Sequence, residues 1–278
     1  MIKKRMLSYI EISSPVHSLT GAAKLIVFLL WSVFVMVSFE TPMLLALSVA
    51  GIVFFKISKI KFKDVSFIIK MMSVFLVLNL LAIYLFSPEQ GVRIYQTRNI
   101  IWEGNAKFTL TWEQIFYEFN VFLKYITIIP PALLLMVTTH PSEFAASLNK
   151  IGVPYTISYS VALTLRYIPD VQRDFEAIYQ SQQARGLELS GKASLIKRVQ
   201  RTVPLLLPLI LSSLARIDVI SRAMELRGFG KNKKRTWYSQ KPFKKADYFT
   251  IIISVILFTS GILFTFYDGS RFFNPFVH

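Results

Sequence analysis

The chain has 278 residues, and a composition of 53% hydrophobic, 14% aromatic and 17% charged excludes an ordinary soluble domain and reads as a membrane protein. Its 32 Lys and Arg outnumber 16 Asp and Glu to give +16, an excess that suits anionic lipid, an acidic protein partner, nucleic acid or the positive-inside bias. The absence of cysteine excludes disulfide scaffolds, thiolate zinc sites and cysteine nucleophiles.

The start, Met1 to Arg5, is basic, but polar residues run on to Thr20 and no small-residue cleavage site follows, so no cleaved signal peptide is expected. Charge-free apolar runs then cover 25–39, 41–55, 71–87, 125–139 and 248–267, which predicts five spans. Only the last reaches the ~20 residues that cross a bilayer core comfortably, so the others must extend past Lys24, Lys56, Lys70 and Lys124, whose ammonium groups can snorkel. Glu40-Thr41-Pro42 separates the first two runs by a turn-like break, which predicts a tight helical hairpin, and Pro130-Pro131 should kink the fourth span.

Two further apolar stretches, 151–165 and 202–215, are too short to read as spans, and crossing would carry a string of Arg and Lys outward against the orientation bias. Both are therefore kept on the cytoplasmic side. With a cytoplasmic N-terminus, five spans put Lys56, Lys59, Lys61, Lys63 and all of 138–246 inside. That last segment holds 18 Lys and Arg against 7 Asp and Glu, so the excess follows membrane topology rather than a nucleic-acid face. Outside lie the Glu40 turn, the loop from Pro88 to Glu113, long enough for a small hairpin or lid, and a short tail ending at His278.

Within the basic segment, Ile168, Val171, Phe175, Ile178 and Tyr179 recur at helical spacing while Asp170, Arg173, Asp174 and Glu176 take other faces, an amphipathic helix. It ends at Ala184-Arg185-Gly186, after which Leu187 to Ser190 lead through Gly191 into a basic helix. A later helix repeats the design, with Ile210, Leu214, Ile217, Ile220 and Met224 on one face, and closes on Leu226-Arg227-Gly228. Glycine stops a helix, and the arginine before it projects a planar, permanently charged fork suited to carboxylates or carbonyls. One such end could merely complement its helix dipole, worth about 0.3 to 1 kcal/mol; two copies favour docking onto a partner.

These residues resemble the T component of energy-coupling-factor transporters, whose signature is two X-Arg-Gly motifs ending cytoplasmic coupling helices. Thr138-Thr139-His140-Pro141-Ser142-Glu143, Leu148-Asn149-Lys150-Ile151-Gly152-Val153-Pro154, Leu165-Arg166-Tyr167-Ile168-Pro169, and Pro204 to Pro208 through Ala223 to Phe229 are similar to further family elements. The family's N-terminal His-Arg-Leu-Asp-Pro-Arg-Thr-Lys-Leu element survives only as His17 to Leu25 without Asp-Pro-Arg, and Leu226 stands where Ala is commoner.

The resemblance implies an all-α, polytopic membrane protein with about five transmembrane helices and long amphipathic cytoplasmic coupling helices. It divides the chain into an N-terminal transmembrane region of about four spans (1–137), a coupling-helix region (138–246), and a last transmembrane helix with a short outside tail (247–278). It implies a non-catalytic subunit of a prokaryotic cell-membrane importer of vitamins or transition metals. Two cytoplasmic ABC-type ATPases and one small membrane substrate-binding subunit are its implied partners. Ala184, Arg185 and Gly186 would enter a groove on one ATPase, and Leu226, Arg227 and Gly228 the groove on the other.

No cofactor and no metal are expected. His17, His140 and His278 show no metal-ligand spacing, and Gly228-Phe229-Gly230-Lys231 is not a phosphate-binding loop. An integral membrane enzyme of lipid metabolism and a basic membrane scaffold are the alternative readings, the latter drawing on Lys231, Lys233, Lys234 and Arg235.

Overall fold

A computed structural model describes residues 14–103, 108–186, 195–231, 236–267 and 269–276, with the backbone alone described at 195–202. Its helices are α1 (Pro15–Ser18), α2 (Gly21–Val37), α3 (Thr41–Ile57), α4 (Phe62–Phe86), α5 (Gln90–Tyr95), α6 (Trp112–Thr138), α7 (Pro141–Lys150), α8 (Tyr155–Ala184), α9 (Leu195–Leu226) and α10 (Lys245–Thr265). The strands β1 (Ile100–Trp102) and β2 (Leu110–Thr111) pair antiparallel between α5 and α6. Among the described residues the fold is thus all-α apart from one small hairpin and an isolated bridge between Phe39 and Phe272.

The chain divides into two compact units, Met1–His140 with Lys241–His278, and Pro141–Gln240. In the first, α6 is the central post against which α2, α3, α4 and α5 pack, and α10 packs on α2. Its 27 residues, about 40 Å at 1.5 Å per residue, exceed what a bilayer core requires. Thr111 caps it, its hydroxyl accepting from Gln114 N at 3.2 Å, and Pro130 and Pro131 lie inside one continuous helix.

Two apolar clusters line the post. Val35, Leu44 and Leu123 gather with Trp31 and Leu47 toward its start, and Ile60, Val65, Leu133 and Val137 toward its end. Between them a few polar bonds cross from helix to helix: Trp31 Nε1 donates to Thr127 O at 3.1 Å, Thr127 Oγ1 to Leu44 O at 3.2 Å, and Thr41 Oγ1 to Asn120 Oδ1 at 2.8 Å. In hydrocarbon such bonds act as short-range glue, because apolar contact with a neighbouring helix is no better than contact with lipid.

The four shorter runs extend past their lysines. Lys24, Lys56, Lys70 and Lys124 all lie inside helices, and Lys24 Nζ donates to Thr138 O at 2.9 Å while Lys124 Nζ donates to Met36 O at 3.0 Å. Helices α2 and α3 turn back on each other: along α6, Lys24 and Trp31 of α2 reach Thr138 and Thr127 while Thr41 and Leu44 of α3 reach Asn120 and Thr127, so the two run antiparallel, each packing chiefly on α6 and meeting the other through Trp31, Val35, Leu44 and Leu47. The turn between them is braced at Phe39: its N–H donates to Arg271 O at 3.0 Å, its carbonyl accepts from Phe273 N, and its ring lies 4.6 Å from that of Phe272. The tail residues 271–273 thus cover the connection.

Helix α10 is fastened to α2 at both ends. Asp247, fully buried, accepts from Lys244 N at 2.8 Å as a cap and from Thr20 N at 2.8 Å across to the start of α2. At the other end Thr265 Oγ1 donates to Ser38 Oγ at 3.0 Å. Between them Gly261 lets the backbone of α10 approach the Phe34 ring, where a Cβ would stand 2.6 Å from the ring edge.

Among the described residues, α4, α6, α10 and the Val203–Leu226 part of α9 are long and apolar enough to cross a membrane, while α2 and α3 are apolar but shorter. The stretch 202–215 is therefore not the short element expected from its flanking arginines. Pro204 and Pro208 do not break α9, which runs unbroken through 32 residues.

Candidate partner-docking site

The second unit consists of α7, α8, α9 and the turn that follows. Helix α8 ends with Arg185 in the C-cap position and Gly186 beyond it at φ +87, the Gly186 N–H donating to Gln183 O at 2.9 Å. At the end of α9, Arg227 precedes Gly228 at φ +65. There Gly228 N donates to Glu225 O at 2.9 Å and Phe229 N to Met224 O at 2.9 Å. These are the two crossed bonds of a left-handed glycine cap, which spares the carbonyls of the last turn from going unpaired.

Helix α7 supplies a comparison within the same unit. It stops on Ile151-Gly152, with Gly152 at φ +108, Gly152 N donating to Asn149 O at 3.2 Å and Val153 N to Leu148 O at 3.1 Å. The same cap is thus made without an arginine. Glycine does the stopping, and the arginines at 185 and 227 are not needed for the turn.

Ala184, Arg185, Gly186, Leu226 and Arg227 are all exposed and Gly228 is half-buried. Leu226, an aliphatic side chain beside the cap, is 90% exposed. The structure does not bring the two motifs together. Helices α8 and α9 run antiparallel, because Arg216 of α9 pairs with Asp174 of α8 and Phe229, just past α9, packs on Tyr159 at the start of α8 with ring centroids 4.8 Å apart. Each arginine lies eleven positions beyond its own helix's member of that ion pair, in opposite directions, so the two forks stand roughly 30 to 40 Å apart.

Two features of this arrangement were not legible from motif spacing. The Arg216–Asp174 pair, about one-third exposed on each side, ties α8 to α9 across 42 residues of sequence. An aromatic box of Tyr155, Tyr159, Phe229 and Trp237 fixes the Arg227 end, with Trp237 Nε1 donating to Asn149 Oδ1 at 3.1 Å and Ser239 Oγ to Ser142 O at 3.1 Å. The Tyr155/Tyr159 spacing of four and the Phe after Arg227-Gly228 were the only sequence hints.

The predicted apolar faces are present, but they are covered unequally. Val171, Phe175, Ile178 and Tyr179 of α8 are half-buried and Ile168 is exposed, whereas Ile210, Leu214 and Ile217 of α9 are more than half exposed, alongside Val203, Leu207 and Leu211, with Ile220 and Met224 half-buried. Leu187 to Gly191, Lys192, Lys233, Lys234 and Arg235, and the side chains of Lys197 and Arg198, lie outside the described residues. Among the described residues no three His, Asp or Glu side chains gather as a metal site.

The profile of the family described as CbiQ, cobalt transport protein, matches residues 12–238. Three curated relatives, each called energy-coupling factor transporter transmembrane protein EcfT, are similar over different lengths. The Heliobacterium modesticaldum protein is 30% identical over 240 residues, covering 82% of this chain and 85% of the relative. The Staphylococcus aureus protein is 27% identical over 274 residues, covering 94% and 96%. With the Lactococcus lactis protein, identity is 30% over 158 residues, and the match spans 54% of this chain and only 59% of the relative.

Proposed function

This chain belongs to the CbiQ family and is a transmembrane component of an energy-coupling-factor transporter, and from that premise we propose that α8 and α9 are the coupling helices through which it docks two ATPases. The observation that carries this reading is the repeated helix end: two helices stopped by a glycine at positive φ, each glycine preceded by an exposed arginine, at opposite ends of one antiparallel pair. Two separated forks call for two sockets, one for Arg185 with Ala184 and Gly186, the other for Arg227 with Leu226 and Gly228. A carboxylate-lined groove would take the guanidinium by paired, charge-assisted bonds, while Leu226 fills an apolar rim.

In this reading α8 and α9 stay on the cytoplasmic side with the N-terminus, although Val203–Leu226 has the length and apolarity of a span. An exposed apolar stripe of that extent needs cover, and a membrane-embedded substrate-binding subunit seated on Val203, Leu207, Ile210, Leu211 and Leu214 would provide it. Hydrolysis of ATP belongs to the partner ATPases. Their closure would shift the two arginine ends, and the helices would pass that movement to the subunit lying on them, for uptake of a vitamin or a transition metal.

The test is co-purification of the tagged chain from membranes with its ATPases, comparing wild type, Arg185→Glu, Arg227→Glu and the double substitution. Each single variant should lose ATPase, and the double variant should retain none while eluting from size exclusion as the wild type does. Equal recovery of ATPases by the double variant would overturn the docking role and reopen the scaffold reading.

A further inference from the structure

The hairpin between α5 and α6 is built inside out. A hairpin lying in water turns its polar side chains outward and hides its apolar ones. Here Glu113, fully buried, accepts from Asn99 N at 3.0 Å and Asn99 Nδ2 at 2.8 Å, and Gln114, also fully buried, accepts from Gly91 N at 3.0 Å. Glu89 accepts from both Arg98 and Thr109. These bonds fix the hairpin to α5 and to the first turn of α6. The contact is close: a Cβ on Gly91 would stand 2.2 Å from Glu113 O.

Beside the exposed Arg98, Asn99 and Glu103, the described residues of the hairpin expose Ile100, Ile101, Trp102 and Phe108, next to Trp112 at the start of α6, with Trp102 62% and Trp112 57% open. This edge does not stand alone. The Phe108 ring lies 6.3 Å from Tyr84 in the last turn of α4, next to the exposed Leu81, Leu85 and Phe86. On the other side it runs into the exposed Ile115 and Phe119 of α6. Both α4 and α6 have the length and apolarity of spans, so the aromatic edge continues a lipid-facing surface at the level where two spans end. Tryptophan at that level, with an apolar body and one N–H, is the side chain a bilayer interface favours.

We propose that the β1–β2 hairpin is an interfacial membrane anchor, seating Ile100, Ile101, Trp102, Phe108 and Trp112 in the headgroup–acyl boundary of the leaflet at that end of α4 and α6. The occupant of this surface is phospholipid. The anchor rests on the chain's spanning a bilayer and is independent of ATPase docking, so either can fail without the other.

The absence of cysteine makes the test direct. The full chain carrying Ile101→Cys or Trp102→Cys, with Arg93→Cys on the exposed face of α5 as the control, is nitroxide-labelled and reconstituted in phosphatidylcholine nanodiscs. Electron paramagnetic resonance then measures collision with oxygen, which concentrates in lipid, and with a water-soluble nickel chelate. Labels at 101 and 102 should show an oxygen-to-nickel accessibility ratio several-fold above that at 93. The Ile101 variant keeps both tryptophans, so its result stands even if Trp102→Cys misfolds. Equal ratios at all three positions would place the hairpin in water and overturn the proposal. Exclusion of both reagents at 101 and 102 would mean that protein covers the edge, which also overturns it.

Discussion

The seam between α2 and α10 makes a sharp test of the fold, because one glycine sets its spacing. A Cβ at Gly261 would lie 2.6 Å from Phe34 Cε2, 3.0 Å from Cζ and 3.3 Å from Cδ2, and Phe34 is only 4% exposed, so the ring has little room to move aside. Gly261→Ala therefore overpacks the seam, at a cost of about 1 to 3 kcal/mol. Asp247 with Thr20 at one end and Thr265 with Ser38 at the other pin the helices, so sliding cannot relieve the clash without breaking those bonds. Phe34→Leu removes the two nearest ring atoms and keeps a carbon near the third. Alone it leaves a small cavity and destabilises; combined with Gly261→Ala it should recover stability. Thermal midpoints in detergent, read by fluorescence-detected size exclusion, should rank the double variant above Gly261→Ala. If Gly261→Ala is neutral, or if the two losses simply add, the helices are not packed as described and the argument fails.

Three further outcomes follow from single sites. Asp247→Ala strips the acceptor from two backbone N–H groups and should lower stability by about 3 kcal/mol, with Asp247→Asn milder, in the same melting assay. Gly228→Ala forces a Cβ into the left-handed region and should cost about 1 kcal/mol, while weakening ATPase recovery more than it lowers the melting midpoint, because it turns Arg227 away from its direction. Exchanging Asp174→Arg with Arg216→Asp should restore what either single change removes, but the coupling in a double-mutant cycle should stay below about 1 kcal/mol for a pair one-third exposed.

Legibility in the sequence followed the range of the interactions. The arginine–glycine ends were readable because a helix cap is settled within six residues, and the structure places each cap at the predicted tripeptide. The start of α6 was not. The fourth span was expected to extend past Lys124 but with no defined start, and Glu113 closed the predicted loop, yet Glu113 and Gln114 lie in the first turn of α6, paired by Asn99 and Gly91 from a segment with no visible periodicity. The turn between α2 and α3 was readable from Glu40-Thr41-Pro42, but the tail residues Arg271 to Phe273 that brace it at Phe39 were not. Asp174 and Arg216 each read as one polar residue on an amphipathic helix, and nothing in either helix names the other.

That ion pair gives the docking reading its mechanical content. Asp174 and Arg216 are each eleven residues from the arginine at the end of their own helix, about 16 Å along the axis, so the pair stands midway between the two forks. A contact at the middle and a charged fork at each end is the arrangement of a lever with its fulcrum between two loads. Under the proposed docking, ATPases moving together or apart would act on two arms of equal length about this pair. The aromatic box ties the Arg227 arm back to the start of α8, and Ile210 and Leu214 just before the pair and Ile217 just after it are exposed. A weak, solvent-screened pair suits that position better than a buried one, since a fulcrum must keep two helices in register while permitting rotation, and a fully desolvated charge pair resists any change of geometry.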